Sequence, residues 1–398
     1  MSRSRLPLRR SYDAIVVGAR CAGAATAMLL ARRGLRVLAV DRAPYASDTL
    51  STHALMRGSV LQLERWGLLS AIRAASTPPI CTTTFHYGDA TVEVPIKPRD
   101  GVDALYAPRR TILDALLVDA ARASGAEVRH GLRLGGLLRE DGERVRGVEL
   151  VHASGARARA EAPLVVGADG VASTVARLVG ARAYREGTHA TTMAYAYWRG
   201  LAPGGYRWFY RPGASAGLIP TNDGLTCLFV AVPPARGDAL RAGDRARAYL
   251  DAVRDAAPDV ARDLLPRATR DGAIRVYPGT RGFVRQAWGE GWALVGDAGY
   301  FRDPITAHGI TDALRDAELL AAAVARGTEE ALADYEGARD ELSLGFFEAT
   351  DAIASFDWDL GSVARLHRTL SEHMAQEVAM LAELAGASTP DARARAAG

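Results

Sequence analysis

At 398 residues, 48% of them hydrophobic, the chain is long enough for two or three domains or one large two-lobed enzyme. A net charge of +3 leaves no electrostatic footprint for nucleic acid, and no run of about 20 apolar residues reads as a membrane span. Three widely spaced cysteines, Cys21, Cys81 and Cys227, make neither a disulfide framework nor a zinc site, so no metal and a reducing cytoplasm are expected. Lys97 is the only lysine among many arginines, a bias that reads as genomic. Residues 1–10 are basic and precede an apolar run, which imitates a signal peptide. Cleavage there would remove the glycine turn that follows, so a leader is not expected.

The first unit reads strand, turn, helix, strand. Residues 15–17 are a β-branched run suited to a buried parallel strand. Gly18 allows a turn that a Cβ would obstruct. Residues 22–33, rich in Ala, Leu and Met, form a helix that Gly34 stops. Residues 36–40 are a second strand, and Asp41 ends it. The helix N-terminus, around Arg20, Cys21, Ala22 and Gly23, points unpaired N–H groups and a positive dipole end at an anion. A pyrophosphate fits there, and Asp41, 18 residues after Gly23, can accept from ribose hydroxyls. The spacing is that of G-x-G-x-x-G with Arg20 in place of the middle glycine. Its charge either holds the phosphate or folds away.

Further on, residues 54–74 read as helix broken at Gly67, and residues 82–94 as a hairpin turned at Gly88-Asp89. Residues 109–123 form a helix. Short strands follow at 127–133, from 139 and at 145–152, then a buried strand runs into Gly167-Ala-Asp169-Gly170 and a helix at 173–179. Strand-like segments with aromatics occupy 191–199, 206–211, 216–221 and 225–232, an antiparallel sheet with Asn222-Asp223-Gly224 as its clearest turn. A helix spans 245–254, and a strand at 272–277 is expected to return to the first lobe. A strand from Trp292 ends in Gly296-Asp297, a long helix runs over 310–326, and 329–385 is mostly helical before a disordered tail at 388–398.

Side chains alternate along a strand, so Tyr195 shares a face with Tyr197, and Trp208 with Tyr210. That face either floors an apolar or aromatic substrate pocket or packs as core against the C-terminal helices.

The turns at Gly18 to Gly23, Asp169-Gly170 and Gly296-Asp297 occur in an order and spacing that resemble flavoproteins of the p-hydroxybenzoate-hydroxylase-like superfamily, over residues 12–345. That group includes single-component aromatic hydroxylases, geranylgeranyl-reductase-like ene reductases and flavin-dependent halogenases. The resemblance implies an α/β fold: a Rossmann-type FAD lobe (1–80, 100–183 and 272–345), an inserted antiparallel sheet lobe for substrate (81–99 and 184–271), and C-terminal helices and tail (346–398). It implies that Gly18, Arg20, Cys21, Ala22 and Gly23 hold the FAD diphosphate, with Arg20 at the phosphates or flavin edge, and that Asp41, with Arg42 beside it, takes the adenosine ribose. Arg110, Asp169 and Gly170 contact the cofactor, Gly296 and Asp297 take the ribityl chain, and Pro304, Gly309 and Ile310 surround the isoalloxazine. The helix from Ile310 would aim its N-terminus at flavin N1 and O2.

Tyr300 stands where many of these hydroxylases carry His, Ala307 replaces a glycine, and His308 is placed to polarise a flavin or substrate carbonyl or to face solvent. His308, Pro304 and Tyr300 are the catalytic candidates, and His53 lies near the substrate side. The implied function is an FAD-dependent monooxygenase that hydroxylates or epoxidises an apolar or aromatic small molecule in secondary metabolism. It would take molecular oxygen, with NAD(P)H as transient reductant or a separate flavin reductase as partner. An ene reductase is the alternative, through the similarity of the helix after Thr52-His53 and of Ala107-Pro108-Arg109-Arg110 to that branch. Halogenation ranks third: Ile219-Pro220 is present, but neither the tryptophan spacing nor a positioned lysine is.

Overall fold

The computed structural model describes residues 8–387 apart from residue 10, so the disordered tail expected at 388–398 lies outside the described residues. The chain opens with β1 (Ala14–Val17), α1 (Cys21–Arg32) and β2 (Val37–Asp41); β1 and β2 pair in parallel, Ala14 opposite Val37 and Val17 opposite Val40. Every position of these strands is buried, as the continuous apolar runs require. The helix expected from residue 54 starts later, as α2 (Arg57–Arg65), and α3 (Leu69–Ala74) follows the break at Gly67. The hairpin is β3 (Thr82–Tyr87) and β4 (Ala90–Pro95). Then come α4 (Arg110–Ala123), β5 (Glu127–His130), β6 (Leu132–Glu140), β7 (Arg144–His152), β8 (Arg157–Glu161), β9 (Val165–Gly167), α5 (Thr174–Val179) and β10 (Ala183–Glu186).

The aromatic segments form β11 (Thr192–Arg199), β12 (Tyr206–Arg211), β13 (Ala214–Pro220) and β14 (Leu225–Val232). Next are α6 (Pro234–Arg241), α7 (Arg245–Ala256), β15 (Thr269–Tyr277), β16 (Phe283–Arg285), β17 (Trp288–Gly289), β18 (Trp292–Leu294) and β19 (Tyr300–Phe301). The chain closes with α8 (Gly309–Arg326), α9 (Glu329–Ala354) and α10 (Leu360–Ala387). Among the described residues, no helix is long and apolar enough to cross a membrane.

Two sheets organise the molecule. One is six-stranded, β17-β18-β9-β1-β2-β5, with β1, β2, β5, β9 and β18 in parallel register. The other is seven-stranded, β15-β11-β14-β13-β12-β3-β4. Smaller sheets, β6-β7-β8 and β10-β16-β19, flank them. One expectation is corrected. The strand expected to return to the first lobe is β15, which pairs with β11 and forms one edge of the seven-stranded sheet. Pro234 opens α6, because a helix's first turn loses nothing by lacking an N–H.

The faces of the seven-stranded sheet have separate fates. Tyr195, Tyr197, Tyr206, Trp208, Tyr210 and Phe229 look into the main core shared with α1, α8 and α10. Trp198, Phe209, Leu228 and Val230 look the other way, onto α7.

Candidate active site

At the first turn Gly18 has a φ of 103°, and a Cβ there would lie 2.3 Å from the Ala168 carbonyl oxygen. A Cβ on Gly23 would lie 1.9 Å from the Gly18 oxygen, so this pair sets how closely α1 approaches β1. The first α1 bond runs from the Ala24 N–H to the Arg20 carbonyl at 2.8 Å, and no side chain caps the helix. The amides of Cys21, Ala22 and Gly23 therefore precede the ladder and face the turn. Asp41 is buried and accepts one bond on each oxygen, from the Ala19 and Ala43 amides, both at 2.8 Å. A lone pair on each oxygen remains for a ribose hydroxyl. Arg42 is exposed beside it. A shallow cleft lined by Ala19, Arg20, Asp41, Ala43, Ser47 and His130 runs between them. An uncapped helix start, a glycine cradle and an acid at the strand tip fit the diphosphate and ribose of a dinucleotide.

Arg20 turns to the protein: it bonds Asp114 at 2.9 Å and the Ser47 carbonyl and hydroxyl at 3.2 and 3.1 Å. Asp114 in α4 also takes Arg110, at 3.0 and 3.1 Å, and the Cys21 thiol at 3.1 Å. Of the two readings of Arg20, folding away is the one its contacts support. Asp169 accepts the Ser173 hydroxyl at 2.5 Å and the Thr174 amide at 2.7 Å. Both of its oxygens thus serve the start of α5, and Gly170 follows with a φ of 81°.

In the third turn the Gly296 amide donates to Asp316 at 3.0 Å. Burial pushes the Asp297 carboxyl up to about 7, with Asp312 adding to the shift and Arg110 opposing it. Asp303 accepts from Thr191 at 2.6 and 2.8 Å and from the Ile305 amide at 3.0 Å, which fixes the loop through Pro304. Ala307 adopts a φ of 51°, so alanine holds the left-handed turn in place of glycine. Gly309 and Ile310 open α8, whose N-terminus has no side-chain cap.

Two catalytic candidates are relocated. Tyr300 lies in β19 and its hydroxyl donates to the Ser343 carbonyl of α9 at 3.3 Å, so it serves the packing of the C-terminal helices. His308 does not face solvent: it is 2% exposed, and its Nε2 lies 2.8 Å from Glu377 of α10.

Sequence reasoning missed the network around that pair. Arg302 bonds Asp312 at 2.6 Å, and Arg315 reaches Asp312 at 2.9 Å, Asp316 at 2.8 Å and Glu377 at 3.1 Å, all of them buried. Burial works to raise the Glu377 pKa, but His308 and Arg315 overcome it and hold the group down at about 2. The ligand atoms of His308, Asp312 and Glu377 lie within 4.8 Å of one another. Both carboxylates already face guanidinium groups, so the set fits an ion network better than a divalent cation. The i, i+3, i+4 spacing of Asp312, Arg315 and Asp316 was the one signal for it.

The aromatic wall gathers all four expected residues, and Tyr206 joins them. At one end it meets the first lobe. The Ser51 amide donates to the Tyr195 hydroxyl at 3.2 Å, and His53 Nε2 lies 3.0 Å from the Tyr197 hydroxyl. The Arg109 guanidinium sits 3.8 Å from the centre of the Tyr197 ring. At the other end His367 of α10 packs 4.3 Å from Tyr210 and bonds the Tyr87 hydroxyl at 3.0 Å. All four of the expected side chains are buried in the main core. A wide polar groove lined by Arg139, Glu143, Gln286, Trp288, Glu290 and Glu329 lies beside β17 and includes no residue of the three turns.

A parallel sheet whose strand tips carry these turns, joined to a second antiparallel sheet, defines a two-lobed dinucleotide-cofactor oxidoreductase. The chain belongs to the FAD binding domain family, whose model matches residues 11–344, and it is an FAD-dependent oxidoreductase with a Rossmann-type fold. It is 28% identical over 341 residues to digeranylgeranylglycerophospholipid reductase 1 of Methanococcoides burtonii, covering 80% of this chain and 75% of that one. It is 29% identical over 350 residues to menaquinone reductase of Mycolicibacterium smegmatis, covering 82% and 78%. In fold it resembles the myxobacterial chondrochloren halogenase, with a TM-score of 0.76 at 21% identity over 95% of this chain and 97% of that one.

Proposed function

We propose that the protein is an FAD-dependent ene reductase that saturates a carbon–carbon double bond of an apolar small molecule. The observation that carries this reading is the hydrogen-bonded His53–Tyr197 pair, a proton source in the aromatic wall. Adding two hydrogens across a double bond needs a proton as well as a hydride. Kinship to proteins named as reductases, over about four-fifths of the chain, supports the same choice. Halogenation lacks a buried lysine, since Lys97 is exposed after β4.

FAD would rest its diphosphate on the amides of Cys21, Ala22 and Gly23 and its ribose on Asp41. Its isoalloxazine would lie by Asp297 and the α8 N-terminus, with Pro304, Gly309 and Ile310 around it. When bound, it supplies two-electron hydride chemistry. The chain's own part is to orient the substrate against Tyr195, Tyr197, Trp208 and Tyr210, to keep water out, and to meet developing negative charge with the α8 dipole. NAD(P)H in passing, or a separate reductase, would supply the electrons.

A second reading is the monooxygenase implied by the sequence. A sealed aromatic wall favours it too, since oxygen chemistry on a flavin must exclude water. One experiment separates the two: turnover with and without oxygen, with 18O2 in the aerobic arm. The reductase gives an equal rate in both arms and a product two hydrogens heavier. Product carrying one labelled oxygen atom would move the assignment to monooxygenase.

A further inference from the structure

β4 is the outermost strand at one edge of the seven-stranded sheet, and it is exposed at every position. β3 pairs with one side of it; the other side meets no strand among the described residues. The Ile96 amide donates to the Cys81 carbonyl at 2.8 Å, which makes these two a hydrogen-bonded pair of the antiparallel ladder. Counting back along the register, Val94 with Thr83, Val92 with Phe85 and Ala90 with Tyr87 are bonded pairs as well. The backbone N–H and C=O groups of Thr91 and Glu93 therefore point away from the sheet, as does the Pro95 carbonyl.

The side chains of this edge invite contact too. Among the described residues, Val92 and Val94 are two of five strongly exposed large hydrophobic residues, at 49% and 42%. They share the face of Phe85. Edges that avoid pairing are bulged, very short or guarded by charge, lysine above all. β4 runs for six residues without a bulge and carries no lysine or arginine. Glu93 is its one charge, on the face opposite the valines, and Pro95 guards only its end.

We propose that β4 pairs antiparallel with β4 of a second copy of this chain, about a two-fold axis through Val92, so that the sheet continues across a homodimer. The inference is independent of the reaction assigned to the site. Complementarity selects the register, because outward residues must oppose outward residues and three two-fold arrangements engage the middle of β4. An axis at Glu93 sets two carboxylates against each other and asks Pro95 for an N–H it lacks. An axis at Thr91 sets Glu93 against the partner's Asp89. An axis at Val92 sets Thr91 opposite the partner's Glu93, twice, and each of those pairs exchanges two backbone hydrogen bonds. On the other face Val92 meets the partner's Val92, and Val94 meets the partner's Ala90, so the exposed apolar surface is covered. A single strand pair is a small interface, so the dimer should exchange with monomer.

Analytical ultracentrifugation of the full chain between about 1 and 200 µM should show a reversible monomer–dimer equilibrium. Val92→Lys puts two ammonium groups together on the axis and should weaken the dimer about tenfold or more, with the thermal midpoint of the monomer unchanged. Thr91→Lys faces the partner's Glu93 and should tighten the dimer about threefold at low salt, a gain that high salt removes. Residues opposed on the axis lie about 4.5 Å apart between Cα atoms, close enough for a disulfide. In a Cys81→Ser background, Val92→Cys should therefore cross-link on oxidation with copper phenanthroline, whereas Val94→Cys, opposite Ala90, should not. Monomer at every concentration, a dimer unmoved by Val92→Lys, no tightening by Thr91→Lys, or cross-linking by Val94→Cys and not by Val92→Cys would each overturn the proposal.

Discussion

The turn between β1 and α1 and the network between α8 and α10 both hold polar groups away from bulk water, by opposite means. The turn does it with backbone: six consecutive positions, two glycines that tolerate no Cβ, and three amides facing one point. The network does it with side chains: Arg302, His308, Asp312, Arg315 and Glu377, drawn from three stretches of chain and charged in near balance. The first is robust to charge and intolerant of volume. The second is the reverse, because a buried ion that loses its partner keeps its desolvation cost.

Substitutions at four positions break or sharpen that contrast. The largest expected effect is Glu377→Ala, which strands Arg315 and His308 and should cost about 3–5 kcal/mol in denaturant unfolding. Since the folded pKa of Glu377 is depressed to about 2 from 4.5, its contribution is full above the unfolded value and lost as pH falls from 4.5 towards 2. Glu377→Gln should therefore flatten the acid limb of the thermal midpoint against pH. An unchanged acid limb would remove the network from the stability account.

Next is Gly23→Val. It introduces volume 1.9 Å from a backbone oxygen and should cost about 1–3 kcal/mol. Purified alongside the wild type, it should also carry far less flavin absorbance. Full flavin content would refute the diphosphate assignment.

Asp297→Asn should be smaller and of opposite sign for stability. The folded pKa of Asp297, about 7, lies above the ordinary carboxylate value of 3.8, so the native state binds the extra proton between those values and loses stability as pH rises through them. A displacement of that size corresponds to more than about 1.4 kcal/mol. The flavin-free variant should melt higher than wild type at pH 8 and equally at pH 4, yet retain FAD less well. Equal melting at pH 8 would argue against a strained carboxylate.

Arg20→Gly should do least. It restores the usual glycine and takes a part-exposed arginine from buried Asp114, which keeps its bonds to Arg110. FAD affinity, measured by fluorescence titration, should change less than threefold. A tenfold loss would return Arg20 to the phosphates.

The same contrast explains how far the sequence could be read. The three turns were legible because each is a local steric statement: a β-branched run, a glycine, an acid. The alternation of Tyr195, Tyr197, Trp208 and Tyr210 was legible because a strand has period two. The contacts of His308 with Glu377, 69 residues away, and of Tyr300 with Ser343 of α9 leave no local trace in the sequence. The contact of His53 with Tyr197 was not legible, since they are separated by 144 residues and only folding brings them to 3.0 Å. β15 went to the wrong sheet for a related reason: a strand's own residues set its period but not its neighbour.

By itself, then, the sequence determined the parallel unit, the places where backbone must come close, and which side chains share a face, because those follow from Cβ sterics and local periodicity. Tertiary structure alone decided what each face meets. It turned Arg20 to Asp114 and Asp169 to α5, set α10 over the flavin-side loop, and stacked Arg109 and His53 on Tyr197. Those outcomes depend on charge pairing and desolvation between distant segments, energies that exist only once burial has removed the water between them.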